Sequence, residues 1–292
     1  AVLGAAATSL IMGGFVVVSR FGIGNMLSAA DLTFFRYLSG LILLPMFLKR
    51  PVRNLGGIGW RRGIIITILA GWSFNLVMMS GFKFAPAAHG AVFTPGTLPM
   101  FTALYSWLLL KVHLGLWRIT GLIILFGGLV TLGWGGLVET APDAWKGDLL
   151  FLAAAACWAG FTVCIRYWEI DPVYGVSVVA VLSLISFTPI YFIFFDFSFL
   201  YLPADEIMLQ ISYQGFLVGV VAVILFTICI PVLGPARTAL FMALVPVFGT
   251  LLGALILNEI PGKIEFAGIG LVIIGMLAAM GVGLSRGEIK QV

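Results

Sequence analysis

The chain has 292 residues, 61% of them hydrophobic and 10% charged, with a mean hydropathy of +1.15. A soluble domain carries about a quarter charged residues, so a soluble globular protein is excluded and an all-α polytopic membrane protein is expected. The net charge of +4 is no nucleic-acid signal, because the basic residues are scattered over loops with no aromatic platform beside them.

The apolar runs are continuous over roughly 20 residues, enough to span a ~30 Å hydrocarbon core. An outer-membrane barrel would instead show short alternating segments. Ten transmembrane helices are predicted, at 2–21, 31–48, 63–83, 87–110, 114–134, 148–167, 173–195, 212–232, 237–257 and 264–284. The first lacks the basic start and cleavage site of a signal peptide. The second holds Arg36, the one charge clearly within a span, expected to snorkel near Asp31. The fourth contains the stretch TPGTLP at 94–99. Pro95 and Pro99 cannot donate to the carbonyls of Ala91 and Pro95, and Pro246 in the ninth span frees Met242 in the same way. A bend with backbone acceptors at the midplane is expected there. Cys157, Cys164 and Cys229 read as packing residues. Gly249 and Gly253 form a GxxxG pair suited to close helix contact.

Lys and Arg indicate orientation. With ten spans, the side holding both termini carries Lys49, Arg50, Arg53, Arg61, Arg62, Lys111, Arg118, Arg166, Arg237, Arg286 and Lys290. The other side carries Arg20, Lys83, Lys146 and Lys263. Both termini are therefore expected in the cytoplasm, with the chain in the cell inner membrane. Trp60, beside Arg61 and Arg62, reads as an interfacial anchor.

An internal repeat is visible. GFVVVSRF at 14–21 resembles GFTVCIRY at 160–167, and Pro99, Phe101, Leu110, Gly115, Gly121 and Gly128 match Pro246, Phe248, Leu257, Gly262, Gly268 and Gly275. Two five-helix repeats, 1–137 and 147–286, are expected. Five is odd, so they would be inverted in the membrane, a recurring plan of secondary transporters. Two such repeats, short loops and a Pro in the fourth helix of each resemble the drug/metabolite transporter superfamily. The ending LLGALILNEIPGKIEFAGIGLVIIG, 251–275, is similar to the closing motif of its EamA-type domains. The first repeat departs from it, with Val112 where the second has Glu259. Within the family the likeness is greatest to YddG-type bacterial exporters of aromatic and other amino acids. The resemblance implies a central cavity lined by helices 1, 3, 4, 6, 8 and 9, with helices 5 and 10 at the periphery.

A rise of about 1.5 Å per residue puts the midpoints of helices 3, 4, 6 and 9 near Ser73, Pro99, Trp158 and Val247. Trp72, Asn75 and Met79 share one helical face, as do His89 and Phe93, and as do Trp158 and Phe161. With Pro95, Pro99, Met242 and Pro246 they make the candidate substrate-binding set, apolar and aromatic with sparse polar points. The alternatives are a lipid-facing Trp72 or Trp158, an Asn75 that only bonds a neighbouring helix, and a structural His89.

No Asp or Glu falls at the core of a predicted span, which argues against the proton coupling that intramembrane acids provide. No buried Lys or Arg cluster suits a phosphorylated substrate. Export of aromatic or neutral amino acids by alternating access is the expected function, with a nucleotide sugar or drug-like amine as the alternative cargo. A channel is the competing class. An intramembrane enzyme is disfavoured, because His89 and His113 lie roughly 36 Å apart by helical rise and no HExxH, GxSxG or paired acid occurs. No cofactor or metal is expected. The expected partners are a small-molecule substrate and the lipid bilayer, with no nucleic acid, and the unit is expected to act as a monomer.

Overall fold

The computed structural model describes residues 1–111, 115–233 and 241–279. Val112, His113, Arg237, Arg286 and Lys290, the start of the ninth predicted span and the end of the tenth lie outside them. Among the described residues the regular elements are all helical, and seven helical stretches are long and apolar enough to cross a membrane.

The first predicted span is α1 (Val2–Gly24). The second is two helices, α2 (Ala29–Tyr37) and α3 (Ser39–Leu48), that meet at Leu38. α2 starts on a capping box, in which Ser28 and Asp31 satisfy each other's backbone donors. The third span divides at Gly71 into α4 (Trp60–Ala70) and α5 (Trp72–Gly81). A Cβ at Gly71 would meet the Thr67 carbonyl and the Ser183 hydroxyl, so the break needs a residue without one.

α6 (Ala87–Leu110) runs unbroken through Pro95 and Pro99. The Thr97 hydroxyl donates to the Phe93 carbonyl at 2.7 Å alongside the missing donors. α7 (Leu116–Gly135), α8 (Ala144–Tyr167) and α9 (Pro172–Phe194) follow. The eighth span begins earlier than expected, at α10 (Ala204–Gln210), and continues through a π-helical stretch, Ile211–Ala222, into α11 (Val223–Leu233). Asp205, Glu206, Gln210 and Gln214 disguise that start as a loop.

α12 (Val245–Leu257) opens with Pro246 in its first turn, where a missing N–H has no helical partner to lose. Phe241 and Met242 are helical, and a turn at Ala243 and Leu244 separates them from α12, in keeping with the bend expected at Pro246. The last helix is α13 (Lys263–Ala279).

Small residues set the packing. α7 and α13 run antiparallel with glycines two turns apart on both. A Cβ on Gly121, Gly128 or Gly135 would strike the backbone at Ala279, Val272 or Glu265, and one on Gly268 or Gly275 would strike Leu132 or Leu125. Lipid tails are as apolar as Leu, so close backbone approach and van der Waals contact hold such pairs together. α12 wedges between α1 and α6 by the same means. Gly249 and Gly253 face Ala91 and Ala87 of α6, while Gly13 of α1 meets Phe248. The GxxxG pair therefore packs within the chain. α6 and α12 end alike, at Lys111 and Asn258 in the left-handed conformation, with their N–H groups donating to Ser106 and Gly253.

The main core lies among these helices and includes Phe15, Phe35, Met79, Phe93, Leu125, Phe151 and Val272. Cys229 is buried and donates to the Ala1 carbonyl at 3.2 Å, while Cys157 and Cys164 are half-buried free thiols. Arg36 is not paired with Asp31. Its guanidinium lies 5.5 Å from the Phe15 ring centroid with Nη1 buried and without a hydrogen bond, so the expected snorkelling contact is replaced by an aromatic face inside the bundle.

Gly128→Ala would put a methyl 2.6 Å from the Val272 nitrogen, whereas Gly270 has nothing within 4 Å of an added Cβ. Gly128→Ala should destabilise the purified protein by about 1–3 kcal/mol through overpacking, and Gly270→Ala should be neutral or better. Thermal unfolding of both variants in detergent checks this.

Candidate functional site

Three acids and one histidine are buried among the described residues: Asp31, Asp148, Glu265 and His89. All lie at one end of the bundle, the far end from Ala1, where α1 finishes and α2, α6, α8 and α13 begin.

The centre of that end is His89. Its Nδ1 is 2.7 Å from Asp148 Oδ1 on α8, and its Nε2 is 2.9 Å from Glu265 Oε1 on α13. The ring is wholly buried and stacks on Phe93, one turn on, at 5.9 Å between centroids. Gly136 leaves room for it, since a Cβ there would sit 2.5 Å from His89 Cε1. The second oxygen of Glu265 accepts from the Gly262 N–H at 2.7 Å and so caps α13. The two carboxylates approach opposite ring nitrogens, so the three groups do not converge on one point, and no cluster suited to a metal ion occurs among the described residues.

A second tie lies beside it. Arg20 Nε bonds Glu259 Oε1 at 2.7 Å, Arg20 Nη1 donates to the Phe82 carbonyl, and Glu259 Oε2 accepts from the Ala87 N–H at 2.7 Å. This joins the end of α1, the start of α6 and the second residue after α12. A third joins α2 to α5 and α9. Asp31 accepts from Ser28 and from the Tyr191 hydroxyl, and Asn75 donates to Thr33 at 3.2 Å. Gln210 and Gln214 donate to Val18 and Ser19 of α1, each at 2.9 Å. At the opposite end, Arg50 pairs with Asp171 at 2.8 Å, but both are exposed, and such a pair contributes little.

The aromatic residues form two walls. Trp158 packs on Phe74 and Phe161 at 5.1 and 5.4 Å, while Trp72 stacks on Phe187 of α9 at 5.4 Å. Phe161 and Met79 are core residues, and Asn75 is spent on Thr33. Pro95, Pro99 and Met242 are half-buried, and Pro246 is buried. A cavity of about 650 Å3 lies between α6, α7 and α8, bounded by exposed Leu104, Trp107 and Phe126, with Phe93 and Asp148 also on its wall. Of the predicted lining residues only Phe93 belongs to it. The structure gathers His89 and Phe93 at the far end and sets Trp72 and Trp158 in separate aromatic contacts.

Asp148 and Glu265 were passed over because each opens a predicted span and reads as an interfacial charge. A signal was present. The fourth, sixth and tenth spans all begin on the same side of the membrane, so His89, Asp148 and Glu265 share one level.

Comparison with known proteins follows the same outline. The model of the EamA-like transporter family matches residues 1–134 and again 145–281. An uncharacterised transporter, YyaM, of Bacillus subtilis (strain 168) is 26% identical over 231 residues, covering 75% of this chain and 72% of that protein. A crystal structure that is 17% identical superposes with a TM-score of 0.63 over 94% of both chains, which speaks to the fold alone.

Removing one member of a buried, paired cluster leaves the others uncompensated. Asp148→Ala should therefore cost about 3–5 kcal/mol of stability. Combining it with His89→Ala should cost less than the sum of the single losses, by about 1 kcal/mol or more. Unfolding of the two single variants and the double variant in detergent measures the cycle.

Proposed function

The chain belongs to the EamA-like transporter family, and we propose that it is a secondary transporter that exports small metabolites, aromatic and neutral amino acids foremost, by alternating access. The observation that carries this reading is the one-sided seal. The buried acids and histidine among the described residues lie at the far end, where polar contacts tie helices from both matched stretches. Such a set of ties has one closed arrangement and can be released together, which is what a gate at one end of a carrier requires.

An inverted pair of five-helix repeats, 1–137 and 147–286, and ten spans in all belong to this proposal. Support comes from geometry at the sequence offset that relates the two stretches. α7 pairs with α13 antiparallel through the matched glycines Gly121, Gly128, Gly268 and Gly275, and α6 with α12 through Ala87, Ala91, Gly249 and Gly253. The matching left-handed ends at Lys111 and Asn258 support it as well. With both termini in the cytoplasm of a bacterial-type inner membrane, the sealed far end is the outer one.

The aromatic walls favour the amino-acid cargo. Trp158 with Phe74 and Phe161, and Trp72 with Phe187, offer ring faces within the bundle, suited to an apolar or aromatic side chain. No buried basic cluster is available to the diphosphate of a nucleotide sugar among the described residues. The likeness to YddG-type exporters points the same way.

Efflux from proteoliposomes loaded with a panel of amino acids, amines and nucleotide sugars tests the cargo. Saturable efflux of Phe, Tyr or Trp is expected, and Trp158→Ala should lower it several-fold while leaving thermal stability nearly intact. Efflux confined to nucleotide sugars or amines would overturn the amino-acid reading. Orientation has its own check. A cysteine at exposed Asn54 should react only with a permeant thiol reagent in intact cells, and one at exposed Asp205 should react with an impermeant one.

A further inference from the structure

His89 touches a carboxylate oxygen with each ring nitrogen, at 2.7 and 2.9 Å. A neutral imidazole has one N–H and one lone pair, and an ionised carboxylate only accepts. With a neutral ring and two ionised acids, one of the two contacts would set lone pair against lone pair. Both contacts become hydrogen bonds only when the trio holds one more proton, on the ring or on a carboxyl oxygen. Either form lowers the buried charge from two negatives to one. The distances therefore describe the proton-loaded state.

Other charged groups lie on the elements around the trio. On α1, Arg20 is held by Glu259 and by the Phe82 carbonyl. On α8, Lys146 pairs with Asp143 at 2.7 Å in an exposed contact. Lys263 opens α13 two residues before Glu265, Lys83 lies in the turn before α6, and Glu139 lies on the short π-helical stretch Gly136–Thr140 after α7. α12 carries no charged residue of its own before Asn258 and Glu259.

We propose that His89, Asp148 and Glu265 form a proton-binding site, in which one bound proton holds the starts of α6, α8 and α13 together and its release opens the far end of the bundle. Loss of the proton breaks one ring contact and leaves a neutral imidazole between two anions in a buried site, where like charges are screened less than in water. The helix starts then separate, and hydration of the carboxylates stabilises the open form. Because binding and opening are linked, a proton difference across the membrane would bias the gate. The sign follows from the linkage: the closed form binds more protons, so it is favoured at low pH and lost as pH rises.

Glu265→Gln separates this device from a merely structural cluster. The Gln oxygen can take the Gly262 N–H while its NH2 donates to His89 Nε2, and His89 Nδ1–H donates to Asp148. Every contact is then satisfied without an added proton. The experiment is hydrogen–deuterium exchange of the purified protein in detergent between about pH 5 and about pH 9, read as protection factors for peptides covering 84–93, 144–152 and 262–270. In the wild type, protection there should fall with rising pH, by up to about tenfold per pH unit for release of one proton, while 172–182 at the opposite end stays constant. In Glu265→Gln it should stay high and flat, and in His89→Ala low and flat. A pH-independent wild type overturns the proposal, and so does a Glu265→Gln variant that follows the wild-type curve. The measurement involves no substrate, so it stands apart from the choice of cargo.

Discussion

Hydrocarbon offers a polar group no partner, and it offers two apolar helices no reason to leave lipid for each other. Helix association must then come from contact so close that only small residues permit it. The glycines of α7 and α13, and the Ala87, Ala91, Gly249 and Gly253 seam between α6 and α12, meet that requirement. They fix which backbones touch and therefore where the helix starts fall. The polar chemistry of the far end rests on this geometry, because His89, Asp148 and Glu265 meet only if α6, α8 and α13 begin at the same level and within a side chain's reach.

The same constraint explains the character of the ties. A charge that is buried in a membrane protein must be paired or bonded. Asp31 and Glu265 each accept from more than one helix or cap, Asp148 meets His89, and His89 is engaged at both nitrogens. Arg36 is one departure from the rule, held against Phe15 with a buried Nη1 that makes no hydrogen bond. The Arg20–Glu259 pair extends the seal by anchoring the Ala87 amide, so the start of α6 is held by two independent sets of contacts. One end of the bundle is held in this way, while the other end has an exposed pair at Arg50 and Asp171.

Much of the fold was legible. The membrane class follows from hydropathy. The glycines matched between the two halves at Gly121, Gly128, Gly268 and Gly275 turned out to be contact residues of α7 and α13. Proline was an uneven guide. Pro95 and Pro99 sit in an unbroken helix, Pro246 follows a turn that breaks the ninth predicted span, and Leu38 and Gly71 mark further breaks. A proline removes a donor, but whether the helix stops depends on what surrounds it. The site was harder still. Met79, Phe161 and Asn75 share faces with Trp72 or Trp158, yet they are spent on the core and on Thr33, because periodicity identifies a face without saying what covers it.

By itself, the sequence determined that this is a helical membrane protein with an internal repeat of transporter type. Those properties are sums and spacings along the chain, set by transfer of side chains from water to lipid and by helical rise. Tertiary structure alone decided that His89, a residue read as a lining group, would lie between Asp148 and Glu265, acids that look like ordinary span-end charges. Those three residues stand far apart in sequence, and a proton can be shared among them only at hydrogen-bond distance, which no local pattern encodes.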